Sequence, residues 1–359
     1  MNNLRWGFLS TAQIARKNWK AIFNSGNSVV AAVASRDLAK ADQFIAECQK
    51  SFSFDRPPTA FGSYEGLIDS PEVDAVYIPL PTGLRKEWVL RAAAAGKHVL
   101  CEKPCAVSAT DLQEMIAACQ KHRVQFMDGV MFMHNPRLPA LRAVLDDGSS
   151  IGDIRRIMSI FSFAGDERTF GSNIRVQGAL EPAGCLGDLG WYCLRITLFA
   201  MGWKLPHEVS GRSLSLADGT VPTQFSSELL FEQGASAGFY CSFLTESQQW
   251  VDVSGARGSL RVPDFVHPFN TYEPAFEVNR TERSVKAPPG TKLPAEPVAL
   301  RDHGHPIAQD TSMIRNFVNQ ARSGSLNSDW PEIALKTQLV MDACLQSARS
   351  GRPVPVDSL

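Results

Sequence analysis

The strongest constraint on this chain is an alternation. Over its first 129 residues, short apolar runs and amphipathic helical patterns take turns. Residues 4–9, 29–34, 75–78, 98–101 and 124–129 read as strands. Residues 13–24, 38–49, 84–95 and 109–122 read as helices, and a loop rich in Ser, Asp and Pro covers 51–58. Such alternation implies an α/β fold with a parallel, doubly wound sheet. Right-handed crossovers then bring the ligand-carrying strand ends to one edge. Asp37 and Ser108 stand where N-caps of the second and last of these helices belong.

Composition narrows the function. The chain has 359 residues, 44% hydrophobic and 20% charged, enough for about two domains with real cores. A formal net charge of -1 offers no general attraction to nucleic acid or anionic membrane, so a small neutral or anionic ligand is expected. The eight cysteines are irregularly spaced. Cys101 and Cys105 have no matching second pair, so no metal is expected, and the pattern fits buried thiols in a reducing cytoplasm. The first residues lack signal-peptide architecture, and no apolar run approaches the length of a membrane span.

Three stretches fall on the ligand edge. Val99-Leu100-Cys101 ends a buried strand, and Glu102-Lys103-Pro104 leaves it, which holds Lys103 at a carboxyl strand end. The first strand-to-helix turn, Ser10-Thr11-Ala12-Gln13-Ile14-Ala15, stands where a dinucleotide fold carries G-x-G-x-x-G/A. Its residues are small where that pattern needs them small, but none is glycine. Ser10 and Thr11 can offer hydroxyls to a pyrophosphate at the helix start, or simply cap it. The second strand ends in Ser35-Arg36 instead of the acid that holds a ribose 2′-hydroxyl, a pair suited to a 2′-phosphate. Pro79-Leu80-Pro81-Thr82 follows the strand at 75–78 as a stiff loop suited to covering a flat ring.

After Gly129 the texture changes, so the domains are expected at 1–129 and 130–359. Met131 to Arg137 reads as a hinge leading into a helix that ends at Asp147, with Asn135 as cap and Pro136 in the first turn. His134 reads as structural. Arg137 reads equally as a substrate ligand or an interdomain ion pair. Strand-like runs at 154–163, 209–216, 225–231, 235–243, 250–253 and 259–262 follow one another through short turns, predicting an open, mostly antiparallel sheet in an α+β domain. Residues 263–306 are proline-dense and read as an excursion with little regular structure. Closing helices are expected at 307–322 and 331–349, the second with Pro331 at its first position. Gly184 to Tyr192 reads as a glycine-rich helix entry in which Asp188 and Tyr192, four apart, share a face. Singly, Asp188 reads as a helix-terminal charge and Tyr192 as a core aromatic.

Together the turn at Ser10–Ala15, Ala34-Ser35-Arg36, Ser63-Tyr64-Glu65, Ile78-Pro79-Leu80-Pro81, Glu102-Lys103-Pro104, Asn135-Pro136-Arg137 and Gly187-Asp188-Leu189-Gly190-Trp191-Tyr192 resemble the Gfo/Idh/MocA oxidoreductases. The likeness is strongest to the glucose-fructose oxidoreductase, dimeric dihydrodiol dehydrogenase and plant oxidoreductase-like subgroup, and it covers most of the chain outside about 263–306. Two departures stand out: the dinucleotide turn lacks its leading glycines, and tyrosine stands at 192 where many members carry histidine.

The resemblance implies a Rossmann-type N-terminal domain that binds NADP, with NAD as the alternative cofactor. Ser10, Thr11, Ala12, Gln13, Ile14, Ser35, Arg36, Pro79, Leu80, Pro81, Thr82, Glu102 and Lys103 are the implied cofactor contacts. It implies Lys103, Asp188 and Tyr192 as a proton-transfer set, and Lys103, Arg137, Asp188 and Tyr192 as substrate contacts. The expected reaction is hydride transfer between nicotinamide and a carbinol or carbonyl carbon of a sugar, polyol or vicinal diol. Tyr192 is the candidate acid/base. Its ordinary pKa of about 10 would have to fall by two or three units, with Lys103 as the cation that lowers it. Lys103 acting directly on the substrate oxygen is the other division of roles. Rival functions are a glycoside-cleaving enzyme that oxidises its substrate transiently and a non-catalytic dinucleotide sensor or scaffold. A homodimer or higher homo-oligomer is expected through the second sheet.

Overall fold

The computed structural model describes residues 3–165, 173–270, 274–280 and 305–356. Its first half is a six-stranded parallel sheet in the order β3-β2-β1-β4-β5-β6. The strands are β1 (Leu4–Leu9), β2 (Ser28–Ala34), β3 (Thr59–Phe61), β4 (Ala75–Ile78), β5 (His98–Cys101) and β6 (Phe126–Asp128). Helices α1 (Gln13–Ser25), α2 (Leu38–Ser51), α3 (Tyr64–Ile68), α4 (Thr82–Ala94) and α5 (Ala109–Lys121) cross between them. This is the Rossmann order, with the strand sequence reversing between β1 and β4. Strands buried on both faces explain the continuous apolar runs: every residue of β4 is buried. Asp37 caps α2 by accepting from Ala39 N at 3.0 Å, and Ser108 caps α5 by accepting from Asp111 N at 3.2 Å. Strand β3 is an addition to the sequence reading. It has three residues, none fully buried, too few to show a period.

A 3-10 turn (Met131–His134) and α6 (Arg137–Asp146) lead into the second half, and the Asn135 side chain accepts from Arg137 N at 3.0 Å. An eight-stranded sheet follows, ordered β13-β12-β11-β7-β10-β9-β8-β14. Its strands are β7 (Ile154–Ala164), β8 (Glu208–Ala217), β9 (Val221–Leu230), β10 (Ser236–Ser242), β11 (Leu244–Gly255), β12 (Ser259–Val262), β13 (Glu277–Asn279) and β14 (Val354–Pro355). All pairings are antiparallel except β7 with β10. Helix α7 (Trp191–Ala200) and the closing helices α8 (Gln309–Arg322) and α9 (Asp329–Ser350) complete the fold. Gly211 on β8 lets α9 approach, because a Cβ there would stand 2.3 Å from the Cys344 carbonyl oxygen.

Three expectations change. Strand β11 runs well beyond 250–253, because its polar first half, Thr245 to Gln249, continues the strand through a register shift between Leu244 and Gln248 that hydrophobic patterning does not mark. Pro331 is not the first residue of α9, which begins two residues earlier at Asp329. Part of the expected excursion is ordered: Phe265 and Val266 are buried and β13 extends the sheet, while 271–273 and 281–304 lie outside the described residues.

The halves are tightly joined. Trp6 of β1 packs on Phe317 of α8 with ring centroids 5.0 Å apart. A buried ion pair joins Asp128, at the end of β6, to Arg195 of α7 at 2.5 Å, and Arg195 also donates to Thr337 Oγ1 of α9 at 2.8 Å. These contacts set α7, which carries Tyr192, against the strand ends of the first sheet.

Candidate active site

A large cleft, about 1130 Å³, follows the carboxyl ends of the parallel strands and continues against the second sheet. At its centre, β5 delivers Glu102, Lys103 and Pro104, with a cis bond before the proline. The loop is clamped from below. The buried Arg85 of α4 donates to the Glu102 carbonyl at 3.0 Å, to the Leu80 carbonyl at 2.7 Å and, at short range, to the Pro104 carbonyl. Glu102 is buried too, and its carboxylate accepts from the Tyr77 hydroxyl at 2.6 Å. Gly129 leaves room for that carboxylate, since a Cβ there would come within 3.2 Å of Oε1.

Lys103 Nζ donates to the Asp188 carbonyl at 2.7 Å and to its carboxylate at 2.5 Å. Asp188 lies in a π-helical turn, Leu186–Gly190, that runs directly into α7. Two glycines permit this approach. Gly184 adopts φ +47°, and a Cβ on it would stand 2.2 Å from the Pro222 carbonyl. A Cβ on Gly187 would press on Pro104 Cγ at 3.1 Å. Burial would raise the Asp188 carboxyl, but Lys103 and Arg175 outweigh it and hold it at about 2. Arg175 Nε reaches the second carboxylate oxygen at 2.8 Å.

Tyr192 joins this group in a different manner from the one expected. Lys103 Nζ sits over its ring face, 4.8 Å from the centroid, while the hydroxyl donates to Met131 Sδ at 3.6 Å. Burial, followed by the nearby carboxylates of Glu102, Asp188, Asp310 and Asp128, pushes the hydroxyl pKa well above its ordinary value. The expected lowering by Lys103 is therefore corrected. A cation over the ring cannot offset both desolvation and four acidic neighbours, so Tyr192 is a protonated donor at neutral pH.

The opposite end of the cleft is formed by Ser10, Ala12, Gln13 and Ile14, by Arg36 and Tyr64, and by Pro79, Leu80 and Pro81. Ser10 holds φ +143°, a conformation that favours glycine, so the backbone turn survives without the glycine itself. Its Oγ accepts from Ala12 N at 3.1 Å. No side chain caps α1, so its first N–H groups open onto the cleft, a ready anion site.

Four expected contacts do not form the cleft wall. Thr11 is absent from the cleft wall although its neighbours Ser10 and Ala12 line it. Ser35 is buried and its Oγ accepts from Asp37 N at 3.3 Å. Thr82 is held by Glu181, which accepts from its backbone N at 3.0 Å and its hydroxyl at 2.5 Å. Arg137 is a correction to the substrate set: it is buried against Asp264, with 2.6 Å contacts to both carboxylate and carbonyl. His134 is likewise structural, bonded to Asn316 at 3.1 Å and edge-on to Trp330.

Arg85, Arg175, Glu181 and Asp310 line the cleft without having been singled out from sequence. Arg85 had one available signal, an arginine in the first turn of a helix that starts at the ligand edge. Asp310 sits in the first turn of an expected helix, where an acid reads as an ordinary helix-terminal charge, and Arg175 and Glu181 fall in stretches with no periodicity or motif.

Two family models match the chain: an oxidoreductase family with an NAD-binding Rossmann fold over residues 4–130, and a GFO/IDH/MocA C-terminal domain over 139–261. The D-xylose 1-dehydrogenase (NADP(+)) 2 of Haloferax volcanii is 29% identical over 99% of this chain and 100% of its own. The trans-1,2-dihydrobenzene-1,2-diol dehydrogenase of Mus musculus is 33% identical over 72% of this chain and 74% of its own. Among solved structures, a 3-ketoreductase from Actinomadura kijaniata in complex with NADP and TDP-benzene superposes with a TM-score of 0.80 at 26% identity, covering 96% of this chain and 98% of that one.

Proposed function

The chain belongs to the Gfo/Idh/MocA oxidoreductase family, and we propose that it transfers a hydride between NADP(H) and a CH–OH or carbonyl carbon of a sugar, polyol or vicinal diol. One observation carries the reading. Lys103 is fixed at a parallel-strand end, between Asp188 and Tyr192, in the same cleft onto which the uncapped N-terminus of α1 opens. The residues present fit a dinucleotide: free helix N–H groups for the pyrophosphate, Leu80 and Pro81 for flat rings, and Arg36 where an acid would disfavour a 2′-phosphate.

When bound, nicotinamide supplies or accepts the hydride. The chain's own residues handle the proton. An ammonium has three N–H donors, and two of those on Lys103 are engaged by Asp188. The third is left to meet the substrate oxygen: in carbonyl reduction the ammonium gives that proton to the oxygen, and in alcohol oxidation the neutral amine, its two remaining N–H groups held by Asp188, takes it back. Asp188 remains ionised at any working pH and fixes the lysine's direction. Tyr192 keeps its proton and is a neutral O–H donor that can exchange its weak bond to Met131 Sδ for one to the substrate oxygen. Phe161, Phe163 and Ile174 give the outer wall an apolar face suited to the C–H face of a sugar ring or diol.

Turnover of a panel of sugars and vicinal diols with NADP+ or NAD+ tests this reading. Reduction of NADP+ in preference to NAD+ is expected, with Arg36→Ala weakening NADPH and sparing NADH. Equal wild-type affinity for the two cofactors, or turnover without net cofactor reduction, contradicts it.

The second sheet supports an oligomer. Helices α7 and α9 cover one face, and apolar side chains are exposed elsewhere on the sheet, at Met158 of β7 and at Leu214 and Leu216 of β8. We propose that a second copy covers these side chains, and a monomer mass by light scattering at micromolar concentration would contradict it.

A further inference from the structure

One carboxylate on the cleft wall has no role in this mechanism. Asp310 stands in the first turn of α8, with only 5% of its side chain exposed. Oδ1 pairs with Lys17 Nζ of α1 at 2.8 Å. Oδ2 is buried, and among the described residues it has no hydrogen-bond partner. Leaving a buried carboxylate oxygen without a donor is costly, and native structures rarely do so except where a ligand completes the bond.

The position of Asp310 indicates which ligand. It lines the cleft beside Lys17 and Asn18 of α1 and Met313 of α8. That same face of α1 begins with Gln13 and Ile14 at the anion end, so it runs from the pyrophosphate site inward. Asp310 is also among the charges that raise the Tyr192 hydroxyl, which puts it within electrostatic reach of the reacting group. It thus lies at the reactive end, but on the α1 side of the cleft.

A ligand group meeting Oδ2 must be a donor. Phosphates are excluded by charge, which leaves the nicotinamide-ribose hydroxyls and the carboxamide N–H groups as the donors a dinucleotide brings to the reactive end; the ring itself has no other N–H. We propose that Asp310 Oδ2 accepts a hydrogen bond from the carboxamide NH2 of nicotinamide, fixing which face of the ring is turned to Lys103. The assignment makes Asp310 a cofactor-positioning residue, held by Lys17 across the two halves of the chain. It rests on the dinucleotide reading of the cleft given above.

The test compares NADP+ with 3-acetylpyridine adenine dinucleotide phosphate, which replaces the amide by a methyl ketone and removes the N–H donors. Affinities are measured by calorimetry for wild type, Asp310→Ala and Lys17→Met. Wild type should prefer NADP+ by about 10- to 100-fold, the worth of a hydrogen bond to a charged acceptor. Asp310→Ala should lose that preference by weakening NADP+ alone. Lys17→Met keeps the carboxylate and should keep the preference; its loss in a folded Lys17→Met protein would overturn the assignment even if the alanine variant folds poorly. An unchanged preference in a folded Asp310→Ala protein overturns the proposal. So does a rise in substrate KM with unchanged NADP+ affinity, which would assign Oδ2 to a substrate hydroxyl. A wild type that binds neither dinucleotide would instead overturn the cofactor reading itself.

Discussion

Replacing Arg85 by methionine should disable the enzyme from beneath. The guanidinium touches no reacting atom in the mechanism above, yet it holds the carbonyls of Glu102 and Pro104, on either side of Lys103, together with that of Leu80. Methionine fills a similar volume and takes the guanidinium donor from three buried acceptors, of which the Glu102 carbonyl keeps only the weak Cys101 thiol. At the low end of the usual cost of about 1–3 kcal/mol for each, the loss is about 3 kcal/mol of stability. The loop carrying Lys103 then relaxes, and a displacement of about 1 Å at a reacting group costs about 10² in rate. Arg85→Lys should be intermediate in stability, because one ammonium cannot reach carbonyls spread over three positions as a guanidinium fork does. Urea denaturation and turnover at saturating NADP+ read the two effects separately. A folded Arg85→Met protein with wild-type turnover would refute the positioning role, and an unchanged denaturation midpoint would refute the energetic argument.

Tyr192→Phe should lower turnover by about 10²–10⁴, the range for a lost acid/base or donor. Because Tyr192 keeps its proton through the working range, the pH profile between about pH 6 and 9 should keep its shape in that variant; a lost titration step would show that the hydroxyl does ionise there. The Lys103→Met, Tyr192→Phe double variant should be little worse than either single change, as groups acting as a unit are not additive, and multiplicative losses would argue for independent roles.

Much of this could be read from the sequence because the parallel sheet is local in its signals. Strands β1, β4 and β5 fall on their expected residues, each a short, largely apolar run bounded by polar or turn residues. The ligand edge followed from topology, and with it the positions of Lys103, Arg36 and the Ser10 turn. What stayed hidden depends on three-dimensional surroundings. The sign of the Tyr192 shift comes from burial and from carboxylates at positions 102, 128, 188 and 310, none of which a motif brings together. Arg137 sits in a family-like motif, but its partner Asp264 lies 127 residues away. Thr82 and Ser35 occupy the right loops with their hydroxyls already engaged locally. Strand β11 was cut short because its first half is polar on both faces, where period-2 reasoning has nothing to detect.

The account stands on Lys103 as the group that exchanges a proton with the substrate oxygen. Lys103→Met isolates it, because methionine retains the buried stem and removes only the donors. The measurement is single-turnover hydride transfer at saturating cofactor, on a variant shown by calorimetry to bind NADPH and by denaturation to be folded. The account predicts near-normal cofactor affinity and a rate lowered by about 10²–10⁴. A folded Lys103→Met enzyme that binds NADPH and transfers hydride at the wild-type rate would contradict it.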